Sequence, residues 1–425
     1  MMDKTIFSLK RSWQLVLLSF LQYAVWGAYL ISMGSYLARV GQASHIGWFY
    51  SVQGLVCLFV PALMGMVADK WISPRRLLAI CHTLAGVLMM AICAYGLLAP
   101  EVQFSWLFLL YVGSVACFMP TLSLTNGVSY AILDAENLDS VKVFPLIRIF
   151  GTVGFIVAMW ITDLGGMQVS AWQFGWSGLL GLLTGAYALT LTGCKSMVPV
   201  HTTKDGASVR LLLRNRRMVV FLAFSVLLGA CLQITNGFAN PFLSSFGTLE
   251  PYADAFGVKH ANMLISLSQI SETCCFLLIP FVLSRLGIRR VMFISMLAWV
   301  LRFLLFALGD PGSGVWLFIL SMLIYGVAFD FFNISGSLFI DKETDGELRH
   351  RAQGLFLMMT NGVGATVGML WAQAVVNHFV YDLPAGTDPT EVWHGWTMCW
   401  YVFAAYAMAV AMAFAIVNIL LRNKQ

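Results

Sequence analysis

The sequence predicts an all-α membrane protein with twelve transmembrane helices in two pseudo-symmetric six-helix bundles. Three observations predict it: the composition, the spacing of the apolar runs and an internal repeat. Of the 425 residues, 59% are hydrophobic and 11% are charged. The charged share is less than half of the ~25% that is usual in soluble domains. The chain is therefore a polytopic membrane protein.

Twelve apolar runs are long enough to cross a hydrocarbon core of ~30 Å, which takes ~20 helical residues. The first six lie near 13–38, 44–68, 77–98, 104–132, 145–163 and 172–194. The second six lie near 217–246, 260–284, 289–308, 315–340, 351–379 and 394–421. We interpret 1–194 as an N-terminal bundle, 195–216 as a cytoplasmic linker and 217–425 as a C-terminal bundle.

The ends of the fourth and tenth spans repeat one pattern. The segment NGVSYAILDAE ends the fourth span, and NISGSLFIDKE ends the tenth. The shared residues are Asn126, Asp134 and Glu136 in the first half, and Asn333, Asp341 and Glu343 in the second. Internal repeats with a substrate site near the midplane are typical of transporters. The repeat therefore predicts a duplicated six-helix unit.

The basic residues predict the orientation. If both termini are cytoplasmic, Arg39 and Lys259 are the only basic residues in external loops, and Arg148 and Arg302 are the only ones within or at the edge of spans. All other Lys and Arg residues then lie on the cytoplasmic side, as the positive-inside rule requires. This distribution explains the net charge of +5 without a nucleic-acid partner.

The tenth span carries a carboxylate well inside an apolar run. Asp330 lies within Val315 to Ile340. An ionised group near the bilayer centre costs at least ~2.5–3.5 kcal/mol, so it normally faces a partner or a wet cavity. Tyr325 and Phe329 share one helical face beside it, and Asn333 follows one turn later. This surface predicts a binding site with a titratable group.

Three other spans carry polar or aromatic residues at helical spacing. They are Arg148, Thr152 and Phe155 in the fifth span, Gln233 and Asn236 in the seventh, and Gln269 and Glu272 in the eighth. Amides and carboxylates bond hydroxyls and base edges, while aromatic rings stack on a heteroaromatic face. The set suits a neutral, flat, hydroxylated ligand such as a nucleoside, since two acids would repel an anion.

Each of these residues also has a structural interpretation. Amides within spans often join helices, at ~0.6 kcal/mol each on average. Arg148 could form a purely structural pair with Asp330 or Glu272. Two acids face one obvious base, however, so one acid can remain unpaired and take a proton. We assign no functional role to Arg302.

The loop after the second span reads GMVADKWISPRR, from Gly65 to Arg76. It resembles the signature between the second and third helices of the major facilitator superfamily, although its paired basic residues lie further along than usual. Asp69 can accept charge-assisted hydrogen bonds that lock helix ends together. We therefore expect Asp69 to have a gating role. Arg75 and Arg76 have an alternative interpretation as solvated charges that follow the positive-inside rule.

Long blocks of sequence carry a closer resemblance. They include SFLQYAVWG, VADKWISP, MPTLSLTN, IRIFGT, LQITN, SQISET, YGVAFDFFNISGS and FLMMTNGVG. With them the chain resembles the nucleoside:proton symporter family of the major facilitator superfamily. The resemblance implies proton-driven import of purine and pyrimidine nucleosides, such as uridine and adenosine, across the bacterial inner membrane by alternating access.

The resemblance also assigns residues. The nucleoside-binding residues would be Arg148, Thr152, Phe155, Gln233, Asn236, Gln269, Glu272, Tyr325 and Phe329. Asp330 and Glu272 would be the candidates for proton coupling. We expect no cofactor besides the coupling protons, no metal, and a monomer, because the cavity would form within one chain.

Other functions remain open. A symporter of the same fold could serve a narrower class such as xanthosine, or another hydroxylated solute. A membrane enzyme would carry a nucleophile–base pair or a metal cluster, and the sequence has no HExxH motif and no paired CxxC motif. A sensor would usually carry a soluble output domain, which this chain lacks. We therefore predict a transporter and not an enzyme.

Overall fold

The computed structural model describes residues 2–136, 138–191, 212, 214–344 and 346–422. The predicted linker, 195–216, falls largely outside the described residues. Its last residues are described, and there Asn215 caps the helix that follows. The Asn215 side-chain oxygen accepts hydrogen bonds from the backbone N–H of Arg217 at 3.0 Å and of Met218 at 3.5 Å. This cap satisfies donors that a helix start leaves unpaired.

The described part of the chain is helical and contains no strand. In the first half the helices are α1 (Met2–Gly27), α2 (Met33–Arg39), α3 (Ile46–Lys70), α4 (Pro74–Leu98), α5 (Phe104–Ala135), α6 (Ser140–Leu164) and α7 (Trp172–Thr190). In the second half they are α8 (Arg216–Ser245), α9 (Phe256–Lys259), α10 (Ala261–Leu286), α11 (Ile288–Leu308), α12 (Val315–Glu343), α13 (Gly346–Leu357), α14 (Ala365–Val376) and α15 (Pro389–Arg422).

Ten helical segments of the described chain are long and apolar enough to cross a membrane. The first and sixth predicted spans are also helical, as α1 with α2 and as α7, but they are not among these ten. Buried polar residues make α7 less apolar, among them Ser177, whose hydroxyl donates to the carbonyl of Val25 on α1 at 2.7 Å. Because ten of its described helical segments can cross a membrane, the protein is a multi-pass membrane protein.

The first span differs from its prediction as one continuous helix over 13–38. The helix begins at Met2, ends at Gly27, and resumes at Met33 after a turn over 28–32. The hydroxyl of Thr162 on α6 donates to the carbonyl of Ala28 at 2.8 Å. A side chain that bonds a backbone group in this way replaces part of the helical hydrogen-bond ladder, which is a recognised cause of a break.

The chain divides into two compact units, each of which makes most of its residue contacts within itself. One unit is Met1–Gln42 with Leu55–Thr202, and the other is Ala43–Gly54 with Thr203–Gln425. The short segment 43–54 joins the second unit because it bonds the eleventh span. Ser51 and Thr366, for example, each donate a hydroxyl to the other's carbonyl, at 3.1 and 3.2 Å. The predicted division into 1–194, 195–216 and 217–425 stays a prediction.

The same helix pairs recur within each unit. In the first unit, α1 packs on α6, and α4 packs on both α5 and α7. In the second unit, α8 packs on the eleventh span, and α11 packs on both α12 and α15. In each half the first span therefore contacts the fifth, and the third contacts the fourth and the sixth. Both first-to-fifth contacts need glycine, since a Cβ on Gly154 would overlap Phe20 and one on Gly229 would overlap Thr360. Small residues of this kind allow helices to approach closely in membranes.

The eleventh span is not a regular α-helix. Between α13 and α14 the chain forms a π-helix over Met358–Gly364, and after α14 a second one over Asn377–Tyr381. Such π-helical turns often occur at functional sites. The first of them includes Thr360, which lines a small cavity of the second unit together with Trp299 and Phe329.

Candidate functional site

In the first unit, α6 presents the three residues that the sequence predicts for it. Thr152 and Phe155 follow Arg148 on the same helical face. Arg148 is half-buried, and its guanidinium lies over the ring of Tyr23 on α1, 3.8 Å from the ring centroid. Phe155 is 7% exposed and meets Trp26 edge to face at 6.4 Å. This face therefore combines a cation, a hydroxyl and aromatic rings.

A polar cluster that the sequence did not predict lies in the same unit. We call Gln22, His82, Thr121 and Thr125 the glutamine cluster. The Gln22 amide donates to the Thr121 hydroxyl at 2.8 Å, and its carbonyl oxygen accepts from the Thr125 hydroxyl at 2.7 Å. That oxygen also lies 2.7 Å from the His82 Nε2 atom. Its four side chains are at most 4% exposed, so the cluster ties α1, α4 and α5 together.

In the second unit, α12 places a ring pair beside an acid. The rings of Tyr325 and Phe329 are stacked, with centroids 5.7 Å apart and planes 6° apart. Asp330 is 5% exposed, and its Oδ2 atom is buried without a hydrogen-bond partner among the described residues. A buried carboxylate is costly unless it is paired or protonated. Asp330 therefore carries a carboxyl oxygen that is buried within a span and unsatisfied.

Packing of α10 on α12 brings a second acid to the same place. Glu272 on α10 interacts electrostatically with Asp330 and with Tyr325. We call Glu272, Tyr325 and Asp330 the acid cluster. Both acids lie in membrane spans, where an ionised carboxylate is costly and is retained at functional places.

The predicted amides lie on α8 and α10. Asn236 donates to the Gln233 side-chain oxygen at 2.9 Å, so these two amides form one unit on α8. Gln269 is half-buried one turn before Glu272. Within the described residues, no hydrogen bond joins any of these three amides to the acid cluster. The structure thus brings Glu272 of α10 together with Tyr325 and Asp330 of α12, and it joins the two α8 amides to each other.

A narrow cavity of about 10 Å³ lies beside the ring pair. Its walls include Phe329, Asn333, Trp299 and Thr360. Asn333 donates to the carbonyl of Phe329 at 3.1 Å, while its own side-chain oxygen is buried without a partner in the described part. A polar atom of this kind can accept a hydrogen bond from a ligand.

Sequence reasoning gave no role to Arg302, which the structure places against the acid cluster. Its guanidinium lies 4.7 Å from the centroid of the Tyr325 ring. The only signal in the sequence was a charge inside the ninth span, and the spacing could not show which face of α11 meets α12. The predicted gating residue Asp69 belongs to α3, but its side chain lies outside the described residues, so its role stays a prediction.

Comparison with known proteins decides the family. The family model for the nucleoside H⁺ symporters matches residues 9–423. The chain belongs to the nucleoside:proton symporter family. It is 44% identical over 412 residues to the nucleoside permease NupG of Escherichia coli (strain K12), covering 94% of each chain. It is 43% identical over 409 residues to the xanthosine permease of the same organism, again covering 94% of each.

Solved structures agree with this assignment. The crystal structure of the nucleoside transporter NupG matches with a TM-score of 0.85 at 42% identity, covering 95% of this chain and 98% of that one. A bacterial homologue of the lysosomal transporter Spinster matches with a TM-score of 0.70 at 12% identity, which shows the fold alone, over 95% of each chain. The predicted major facilitator fold is confirmed, and so is the prediction of a transporter in place of an enzyme.

Proposed function

We propose that this protein imports nucleosides together with protons by alternating access. The observation that carries the proposal is the second unit's ring pair beside two interacting carboxyl groups, in a chain of the nucleoside:proton symporter family. Stacked aromatic rings suit a flat base, and a buried acid without a hydrogen-bond partner suits a proton. We also propose a nucleoside-binding role, as the family resemblance implies, for Arg148, Thr152 and Phe155 of the first unit and for Gln233, Asn236, Gln269 and Glu272 of the second.

The coupling ion is a proton, and we propose no other cofactor. A charge that moves through 100 mV releases ~2.3 kcal/mol. At ~1.4 kcal/mol per tenfold, this supports roughly fifty-fold accumulation of a neutral solute. One proton per nucleoside is therefore sufficient. We propose Asp330 as the group that takes this proton and Glu272 as the partner that shares it.

The substrate range that we propose is purine and pyrimidine nucleosides, with uridine and adenosine as its tests. A narrower substrate such as xanthosine is the second candidate, because identity to the xanthosine permease, at 43%, nearly equals the 44% to the nucleoside permease. We propose placement in the bacterial inner membrane, which the family resemblance implies, with both termini cytoplasmic, which the distribution of basic residues favours. We propose a monomer as the working form.

Uptake in cells that lack their own nucleoside carriers tests the proposal. Labelled uridine, adenosine and xanthosine would be supplied with and without a protonophore, to wild type and to Asp330→Asn. We expect accumulation that the protonophore abolishes and the variant loses. Asp254→Asn is the matched control, since Asp254 is an exposed acid paired with Lys259 at 2.7 Å in a loop.

Each contrary outcome has a separate meaning. Uptake that is insensitive to the protonophore would leave a facilitator and remove the proton coupling. Uptake of xanthosine alone would favour the narrower substrate. Well-expressed protein that takes up no nucleoside would overturn the proposed function.

A further inference from the structure

Arg302 is a fully buried cation in a membrane span. The residue is 1% exposed and lies within α11. A charge at such a position is expensive and is retained in functional places. No acid pairs with Arg302 among the described residues, and its Nε atom is buried without a hydrogen-bond partner. Something other than a salt bridge must therefore account for its presence.

The contacts of Arg302 point to α12. One terminal nitrogen donates to the carbonyl of Ser321 at 2.6 Å, and the hydroxyl of Ser321 donates back to the carbonyl of Arg302 at 3.0 Å. The two terminal nitrogens lie 3.5 and 3.4 Å from the hydroxyl of Ser268 on α10. These bonds fix the plane of the guanidinium, which leaves its broad face for an aromatic partner.

That aromatic partner is Tyr325. The Arg302 guanidinium carbon lies 4.7 Å from the Tyr325 ring centroid and 5.6 Å from that of Phe306. A desolvated cation–π contact of this length is strongly favourable. The Tyr325 ring also meets Trp299 edge to face at 6.1 Å and stacks with Phe329 at 5.7 Å. Three neighbours therefore hold the ring in one orientation.

We propose that Arg302 is a positioning residue for substrate, acting through Tyr325. By holding the Tyr325 ring parallel to that of Phe329, it preforms the aromatic surface on which a flat heteroaromatic base stacks. A preformed surface binds more tightly because the ligand does not have to order it. This inference rests on the proposed function, in which the ring pair meets the base of a nucleoside.

A purely structural role would be to join α11 to α12, and the chain offers a matched control for it. The hydroxyl of Ser295 on α11 donates to the carbonyl of Ala328 on α12 at 2.6 Å. This bond joins the same two helices as the Arg302–Ser321 bonds, and none of its atoms belongs to Tyr325. Ser295→Ala therefore weakens the helix contact and leaves the ring in place.

A double-mutant cycle tests the proposal by measuring nucleoside dissociation constants on purified protein. The variants are Arg302→Lys, Tyr325→Ala, the two combined, and Ser295→Ala. Lysine keeps the charge but lacks the planar group that stacks. We expect Arg302→Lys to weaken binding ~5-fold and Tyr325→Ala ~10-fold, the range of a lost aromatic contact. The combined variant should match Tyr325→Ala, and Ser295→Ala should match wild type.

Two results would overturn the inference. One is a loss of affinity in the combined variant that equals the product of the two single losses. The other is wild-type affinity in folded Arg302→Lys protein. If Arg302→Lys does not fold, Ser268→Ala replaces it, since it removes the hydroxyl that both terminal nitrogens of Arg302 contact. The same hydroxyl also donates to the sulfur of Met322 on α12 at 3.1 Å. The ~2-fold loss expected for Ser268→Ala should disappear when Tyr325 is alanine. Wild-type protein that binds no nucleoside would overturn the proposed function and this inference together, whereas multiplied losses in protein that binds would overturn this inference alone.

Discussion

The glutamine cluster and the acid cluster are both buried in spans, but they differ in how their polar atoms are used. In the glutamine cluster, the Gln22 amide forms hydrogen bonds through both its nitrogen and its oxygen, and every member takes part in a hydrogen bond. Among the atoms of this cluster, the Nδ1 atom of His82 alone is buried without a partner in the described part of the chain. In the acid cluster, Asp330 keeps an oxygen without a partner among the described residues. Satisfied polar groups rigidify a fold, whereas an unsatisfied one is retained at a cost. The comparison predicts that the glutamine cluster stabilises the fold and that the acid cluster serves transport.

The largest effect is expected at Asp330. Asp330→Asn keeps the shape of the side chain and removes its charge, so accumulation of nucleoside should fall to the equilibrium level. The melting temperature of the purified protein should change little, because Oδ2 has no hydrogen-bond partner to lose among the described residues. Measuring both nucleoside uptake and thermal unfolding checks the two parts of this prediction. A large loss of stability would place Asp330 with the structural residues.

The next effect is expected at the ring pair. Phe329→Ala removes one of the two stacked rings, and base–aromatic stacking is worth ~1–3 kcal/mol per base. The nucleoside dissociation constant should therefore rise by about fivefold to 150-fold. Binding to purified protein measures it, with Phe281→Ala as the control, because Phe281 is an exposed ring on α10 that pairs with Arg285. Equal effects from the two variants would contradict the account.

Gln22→Ala should show the reverse pattern. Removing the amide leaves the hydroxyl of Thr125 and the ring of His82 without their partner in a buried place. An unsatisfied buried group costs ~1–3 kcal/mol, so the melting temperature should fall clearly. The dissociation constant for nucleoside should stay within about twofold of wild type. A selective loss of binding at full stability would move the glutamine cluster into the substrate site.

The smallest effect is expected for Thr125→Val, which removes one hydroxyl from the same cluster. Hydrogen bonds between membrane helices average ~0.6 kcal/mol, so a small drop in melting temperature is expected. Thr190→Val is the matched control, because its exposed hydroxyl bonds only the carbonyl of Tyr187 on its own helix. A larger drop in the control than in Thr125→Val would show that the cluster contributes nothing.

The sequence predicted what depends on neighbours along the chain. Apolar runs gave the helices, and the spacing of Tyr325 and Phe329 placed two rings that the structure stacks. The interruption after Gly27 could not be predicted, because the hydroxyl that bonds Ala28 belongs to Thr162, on another helix. Arg302 was missed for a similar reason, since its contacts depend on how α11 is rotated against α12.

The roles assigned to the site residues depend on the resemblance to a family and on packing between helices. The sequence placed Glu272 and Asp330 in different spans, and only the contact of α10 with α12 makes them a pair. The amides Gln233 and Asn236 bond each other, so their spacing alone did not distinguish a ligand site from an internal bond.

Proton movement in proteoliposomes tests the central claim most directly. Purified wild type and Asp330→Asn would be reconstituted with a pH-sensitive dye inside, and uridine or adenosine would be added outside without a pre-set gradient. The account predicts that nucleoside entry acidifies the wild-type lumen and that Asp330→Asn leaves the pH unchanged. Nucleoside entry through the wild type with no change in luminal pH would contradict proton symport.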